Sequence, residues 1–316
     1  MENGQCWLGK PYYSLDAYCK NTYGEKLYKI ALNAGLTCPN RDGTIDSRGC
    51  IFCNAGGSGD FAIDMKSVPS VSAQLKEGQK LFYKKQIGSR FIAYFQAYTN
   101  TYGPIFYLRQ IYEEALGEDT VSGISIATRP DCINEDVLTA LVNLKEKFPD
   151  KFVWIELGLQ TIHEQTARFI RRGYELSCFD TAVRLLQSIQ IPIIVHVILG
   201  LPGEAKADML ETIDYLNQSK IWGVKLQLLH ILKDTDLASL YWEGKIPALS
   251  KEAYLDILIR CLEHLSPEIV IHRLTGDGAK EQLLAPLWSL DKRDVLNSLH
   301  REMKVRQTFQ GRLYES

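Results

Sequence analysis

The sequence has no apolar run approaching the ~20 residues that a membrane helix needs. Its start, MENGQCWLGKPYYSLDAY, lacks the cationic segment and apolar core of a secretory leader. Neither sign of charge dominates: 36 Lys+Arg against 38 Asp+Glu leave a formal net charge of −2. Nothing global therefore drives the chain toward nucleic acid or an anionic membrane, and any RNA contact falls to local basic patches. No fixed-period repeat, low-complexity tract or flexible linker interrupts the 316 residues. These absences point to a cytoplasmic protein without a membrane partner, built as one large domain or two modest ones. In that compartment the eight cysteines are not expected to form a disulfide framework. They read as ligands, catalytic groups or buried apolar residues.

What is present is an alternation of apolar runs and amphipathic segments. With 46% hydrophobic and 23% charged residues, the chain has an ordinary globular balance and can bury a large core. Strand-like runs cover 27–35, 91–98, 121–130, 152–161, 191–202, 223–232 and 268–276. Most are continuously apolar, which fits parallel strands covered on both faces. Helical spacing is clearest over 70–86, 105–117, 134–148, 177–190, 205–219 and 250–265. Asn134 and Ser250 precede acidic first turns and read as N-caps. The repetition predicts an α/β fold of about six strand–helix units, a parallel sheet that is open or curved into a partial barrel. Thr128-Arg129-Pro130, Gly158-Leu159-Gln160 and Gly200-Leu201-Pro202-Gly203 fall at the C-terminal ends of strands, the edge that builds active sites in such folds. From Trp288 to Ser316 a helix and an extended end are expected.

Directly after the first strand, CPNRDGTIDSRGCIFCN sets Cys38, Cys50 and Cys53 in a C-x11-C-x2-C pattern. Thiolates are soft ligands for iron–sulfur clusters or zinc. A structural zinc site takes four ligands, and Cys19 or a histidine would have to complete it. A four-iron cluster on three cysteines leaves one iron open to a small molecule. The other cysteines form no second CxxC pair. Cys178 and Cys261 read as buried thiols, and Cys132 as a possible hydrogen donor or radical partner.

With these cysteines the chain resembles the radical S-adenosylmethionine (SAM) superfamily, and within it the branch of the Elongator catalytic subunit, as a compact bacterial form without an acetyltransferase domain. The wide first spacing and Phe52 inside the CxxC fit that branch, and the resemblance spans about residues 10–290. It implies a [4Fe–4S] cluster on Cys38, Cys50 and Cys53 and a partial (β/α)6-type barrel over 27–285. Short extensions over 1–26 and 286–316 flank this core. FQAYTNT (95–101) then implies SAM contacts near Ala97 and Tyr98 and by Gln96 and Thr99. SIATRPD (125–131) implies Thr128 or Arg129, with Ala127 standing where relatives often carry Glu. Arg129 has an alternative in bracing the turn through Asp131. GLQT (158–161) implies Gln160. IRRGY (170–174) implies Arg172 on the SAM carboxylate, with Arg171 as competitor. HVILGLPGE (196–204) implies His196 on the ribose, against the alternative of a core histidine.

The same resemblance implies tRNA as partner, modified at the C5 side chain of the wobble uridine, from carboxymethylaminomethyl toward aminomethyl. It also implies an external electron donor such as flavodoxin or ferredoxin. A protein or small-metabolite substrate is the alternative within the superfamily. A zinc-stabilised RNA-binding protein without catalysis is the alternative outside it. Basic patches at Lys80/Lys84/Lys85/Arg90 and at Lys292, Arg293, Arg301, Lys304, Arg306 and Arg312 suit phosphates or are solvated faces. Tyr12, Tyr13, Tyr18, Tyr23 and Tyr28 offer base stacking or core packing. Two strand ends are expected to line a substrate pocket: Gln227, His230, Lys233 and Thr235, then His272, Arg273, Thr275 and Asp277. His230, Lys233, Arg273 and Cys132 are the candidate catalytic groups.

Overall fold

Apolar runs without polar alternation become strands that bury both faces, and here they do so side by side. In a computed structural model, which describes residues 7–57, 62–63, 68–83, 88–276, 278 and 280–315, the first six parallel strands are β1 (Tyr28–Leu32), β2 (Phe91–Phe95), β3 (Val121–Thr128), β4 (Phe152–Gln160), β5 (Ile193–Leu199) and β6 (Gly223–Leu228). A short β7 (Ile231–Leu232) precedes β8 (Val270–Arg273) and β9 (Leu283–Ala285). The sheet order is β1-β2-β3-β4-β5-β6-β8, all pairs parallel, while β7 and β9 form a separate antiparallel pair. Each predicted strand run contains one of the seven, so β8 extends the six-unit expectation by one parallel strand.

The helices are α1 (Leu15–Tyr23), α2 (Val71–Tyr83), α3 (Ile105–Leu116), α4 (Glu135–Lys147), α5 (Glu164–Phe169), α6 (Leu176–Ser188), α7 (Lys206–Gln218), α8 (Asp236–Trp242), α9 (Lys251–His264) and α10 (Lys292–Val305). Asn134 and Ser250 cap α4 and α9, accepting from Val137 N (3.0 Å) and Ala253 N (3.1 Å). Among the described residues no helix is long and apolar enough to cross a membrane.

One face of the sheet packs against the helices in the main core, which includes Leu32, Phe95, Ile126, Leu157, Val195 and Leu226. The other face curls inward. In a flat sheet β1 and β4 would lie three spacings, about 14 Å, apart. Yet Lys29 Nζ of β1 is 2.7 Å from Glu156 Oε1 of β4, which requires strong curvature. The interior is layered. At the N-terminal end of the strands, Trp154 and Trp222 pack with Tyr18 of α1, at ring distances of 4.5 to 6.3 Å, and α1 plugs that end. The N-terminal tyrosines therefore serve packing: Tyr12 is buried with its hydroxyl 3.1 Å from His300 Nε2, Tyr18 stacks edgewise on Tyr23, and Tyr28 packs on Phe82. A charged layer lies above this plug, and the strand ends open above that.

The C-terminal end is not extended. Gln310 is buried, and its backbone N–H donates to Pro11 O (2.9 Å). Gly311 and Leu313 donate to Leu262 and Glu263 carbonyls, so the tail folds back onto α9.

Candidate active site

The loop after β1 wraps its cysteines around a cavity at the C-terminal ends of the strands. Cys38, Cys50 and Cys53 all line it, together with Gln96, Thr99, Thr128, Glu156, Gln160 and His196. The loop is held by its own polar residues. Arg41 Nη2 donates to the carbonyls of Cys53 (2.7 Å) and Asn54 (2.6 Å). Asn40 Nδ2 reaches Cys50 Sγ (3.5 Å) and the carbonyl of Arg171 (2.8 Å). Cys53 N donates to Cys50 O (3.0 Å), which closes the CxxC turn.

The strand ends meet this loop in unusual backbone conformations. Ala97 (φ 72°), Tyr98 (φ 62°) and Gln160 (φ 69°) lie in the left-handed region, where strain tends to mark functional segments. Tyr98 N donates to Gly57 O (3.0 Å), Thr99 N to Thr37 O (3.1 Å), and the Tyr98 hydroxyl to Ala55 O. The β2 end is thereby tied to the cysteine loop. Thr128 Oγ1 lies 2.6 Å from Thr101 Oγ1. Gln160 lines this cavity, and its side-chain oxygen is buried with no hydrogen-bond partner among the described residues, a state that a donor would relieve.

The two arginines face elsewhere. Arg129 takes the bracing role, with Nε and Nη2 on Asp131 (2.9 and 2.7 Å) and Nη1 on Arg172 O (2.9 Å). Arg172 is 1% exposed. It donates to the carbonyls of Tyr174, Leu159 and Thr161 and pairs with Glu164 at 3.2 Å. Its donors are committed to tying the GLQT and IRRGY loops together, because a buried guanidinium must satisfy its N–H groups. Neither arginine lines the cavity. Arg171 pairs with Asp236 at 2.5 Å.

At the floor of the cavity lies a constellation of which sequence reasoning named His196 alone. Glu156, fully buried, accepts from Lys29 (2.7 Å), Ser125 (2.6 Å), His196 Nε2 (2.7 Å) and Lys225 Nζ. Lys225, 1% exposed, also donates to the Tyr94 hydroxyl (3.0 Å). Burial alone would raise the Glu156 pKa, but Lys225 and Lys29 outweigh it and hold the carboxyl well below its usual range. Burial, aided by Lys225, pulls His196 down to about 4. The ring is then neutral near pH 7. Facing a carboxylate, Nε2 carries the proton and Nδ1 stays an acceptor, suited to a ligand hydroxyl. The signal in the sequence was a lone charge in each apolar strand: Lys29, Glu156 and Lys225. Buried charges need partners, but the sequence does not say which strands face one another. Ala127 is the register partner of Glu156, so the neighbouring strand carries a carboxylate at the level of Ala127.

His230 and Arg273 line a second, adjoining cavity of about 380 Å3, as does Gln227. Burial lowers His230 to about 4, and its Nε2 lies 3.0 Å from Ser289 Oγ. Lys233 and Thr235 do not line it: Lys233 is exposed, and Thr235 caps α8. Cys132 is buried beneath the turn after β3, its thiol pushed up to about 12 by burial and Asp131, and it lines neither cavity. His272 packs edgewise on Trp154 and Trp222 in the plug. Asp277 lies outside the described residues, as do Lys84 and Lys85. Of the basic tail, Arg306 pairs with Asp256 (2.8 Å) and Arg312 with Glu263 (2.8 Å), while Lys292 lines the second cavity.

The site fits an iron–sulfur cluster with an open position. Three soft donors converge on one cavity, and among the described residues no fourth cysteine lines it. Burial, with Cys53 nearby, pushes the Cys50 thiol up to about 12, so a metal ion must displace its proton for it to act as a thiolate. Gln160 and His196, both lining the cavity, offer side chains that suit a polar small molecule beside the open position.

Comparison with known proteins agrees. The model of the Radical SAM superfamily matches residues 43–216, and that of the Radical_SAM C-terminal domain matches 221–305. The uncharacterized protein YtqA of Bacillus subtilis is 40% identical over 306 residues, 97% of this chain and 94% of that one. Elongator complex protein 3 of Schizosaccharomyces pombe is 24% identical over 159 residues, 49% of this chain and 28% of that one. The structure of archaeal Methanocaldococcus infernus Elp3 shares the fold, with a TM-score of 0.68 at 12% identity. It covers 90% of this chain, which spans 64% of that one. Enzymes of this family use a [4Fe–4S] cluster and SAM. By its matched span, by a relative similar along nearly its whole length, and by three thiols facing one cavity, the chain belongs to the radical SAM superfamily.

Proposed function

We propose that this enzyme holds its cluster on Cys38, Cys50 and Cys53 and modifies tRNA at the C5 side chain of the wobble uridine, taking a carboxymethylaminomethyl group toward aminomethyl. The similarity to Elongator complex protein 3 supports the tRNA reading. The observation that carries the chemistry is the convergence of the three thiols, Gln96, Gln160 and His196 on one cavity that adjoins a larger one. When bound, the cluster supplies the electron that cleaves SAM and so yields a carbon-centred radical. The chain's own residues bind, orient and exclude. Gln96, Thr99, Thr128 and Gln160 contact SAM, and His196 Nδ1 accepts from its ribose. The aromatic plug beneath the charged layer keeps water from entering through the far end of the barrel. An external electron donor of the flavodoxin or ferredoxin type completes the system.

The test is anaerobic reconstitution with iron and sulfide, an assay for 5′-deoxyadenosine, and nucleoside analysis of tRNA from cells lacking the enzyme. Brown protein, cleavage lost in Cys38→Ala, Cys50→Ala and Cys53→Ala, and accumulated carboxymethylaminomethyluridine are expected. Colourless, zinc-loaded protein without cleavage would refute the chemistry. Unaltered wobble uridines would refute the substrate.

A further inference from the structure

The IRRGY turn (170–174) lies against the cysteine loop, and one side chain joins the two. Asn40, two residues after Cys38, is 1% exposed. Its backbone carbonyl accepts from Gly49 N (2.8 Å), so its main chain helps to close the loop that carries Cys50. Its side-chain Nδ2 lies 2.8 Å from Arg171 O, 3.2 Å from Arg172 O and 3.5 Å from Cys50 Sγ. Two of these three are carbonyls, which only accept. The amide nitrogen rather than the oxygen must therefore face this corner. The turn is shaped to receive it. Arg171 (φ 55°) and Gly173 (φ 82°) lie in the left-handed region, and a Cβ on Gly173 would stand 2.4 Å from Asn40 Oδ1. The turn is itself fixed from behind: Arg129 Nη1 donates to Arg172 O (2.9 Å), and Ile51 N to Ile170 O (3.2 Å).

Cys50 Sγ also sits 3.5 Å from Arg171 O. As a thiol it can donate to that carbonyl. As a cluster ligand it has lost the proton, and two acceptors then face each other. The Asn40 amide carries two hydrogens and lies within reach of both, so it relieves the contact. A hydrogen bond to a thiolate sulfur is charge-assisted, and it strengthens as electron density on the sulfur grows. Hydrogen bonds to the sulfurs are among the levers that set a cluster's potential, and a donor there favours the reduced state. We propose that Asn40 is a positioning residue for the cluster: clamped by the IRRGY turn, its amide donates to Cys50 Sγ and makes the cluster easier to reduce. This rests on the reading that Cys38, Cys50 and Cys53 hold the cluster. It also gives the IRRGY turn a task, that of an abutment for the cysteine loop.

The experiment is a potentiometric titration of reconstituted wild type and Asn40→Leu without SAM, followed by electron paramagnetic resonance. Leucine nearly keeps the volume and removes the donor. At equal iron and sulfide per chain, the ratio of reduced to oxidised cluster in Asn40→Leu at the wild-type midpoint should fall about tenfold. That is the low end for one charge-assisted hydrogen bond, and about 59 mV for one electron. An unchanged or raised midpoint at equal cluster content would make Asn40 a structural peg and overturn the proposal. Should Asn40→Leu retain no cluster, wild type labelled with 15N in the side-chain amide of asparagine decides. Pulsed resonance of its reduced cluster should show a 15N coupling that persists in labelled Asn54→Asp. No coupling, or one lost in Asn54→Asp, overturns the assignment. Wild type that takes up no four-iron cluster refutes the cysteine reading itself, and the role of Asn40 falls with it.

Discussion

Glu156→Gln is the most severe single change the charged layer can suffer. The glutamine keeps the volume and part of the hydrogen bonding but removes the negative charge on which Lys29 and Lys225 converge. Lys225 is 1% exposed and cannot swing into water. A buried ion that loses its partner costs about 3–5 kcal/mol. In a chain of this size that corresponds to a fall of roughly 5–10 °C in melting temperature. Urea denaturation of the cluster-free protein, followed by circular dichroism, measures the loss directly. Burial already holds Lys225 well below the usual lysine range and losing Glu156 lowers it further, so the folded lysine gives up its proton early and the penalty should shrink steadily as pH rises toward the value of the unfolded chain. A double variant, Glu156→Gln with Lys225→Met, should recover at least half of the stability, since it removes the stranded charge along with its partner. A loss below about 1 kcal/mol in Glu156→Gln, or strict additivity in the double variant, would refute the account of Glu156 as the charge hub.

Three further outcomes follow from geometry already described. His196 and His230 sit at about 4 against an ordinary 6.5. The unfolded chain therefore takes up protons below pH 6.5 that the folded chain refuses until about pH 4. The stability these two rings preserve should be complete above pH 6.5 and fall between 6.5 and 4, with a shallower fall in His230→Gln; a profile that does not change in that variant counts against the assignment. Gly57 has φ +59°, and a Cβ there would stand 2.4 Å from the Tyr98 ring. Gly57→Ala should displace the ring that ties β2 to the cysteine loop, lowering the iron retained per chain at unchanged circular dichroism. Arg312→Ala removes a pair with Glu263. It should cost stability by roughly 1 kcal/mol or less and leave tRNA affinity unchanged, whereas an RNA-contacting role would reverse that pattern.

The elements were legible in the sequence because their physics is local. Continuous apolar runs such as FIAYF fit strands covered on both sides, and β2 is buried at every position. Asn134 and Ser250 mark helix starts through side-chain bonds spanning three residues. The cysteine triplet was legible because ligand spacing is itself a local signal. The charged layer was not, since Lys29, Glu156 and Lys225 are separated by more than a hundred residues or by two crossovers and meet only through curvature. The inward role suggested for Arg172 depended on which way a short turn faces. The structure turns it onto the carbonyls of Leu159, Thr161 and Tyr174. The tail looked extended because it lacks periodicity, yet buried Gln310 anchors it through hydrogen bonds to Ser266 and Ile269. Lys292 looked like part of a basic helix face, and only the packing of α10 brings it to the cavity.

The parallel sheet stops at β1 and β8, and among the described residues no strand pairing joins these two edges. A closed barrel has its girth fixed by a hoop of hydrogen bonds; this one lacks the hoop. What joins its opposite walls is a set of spokes, Lys29 from one edge and Lys225 from beside the other, meeting at the Glu156 carboxylate. The bore of the chamber is thus set from its centre outward, and any event that alters the charge at the hub alters how far the walls stand apart.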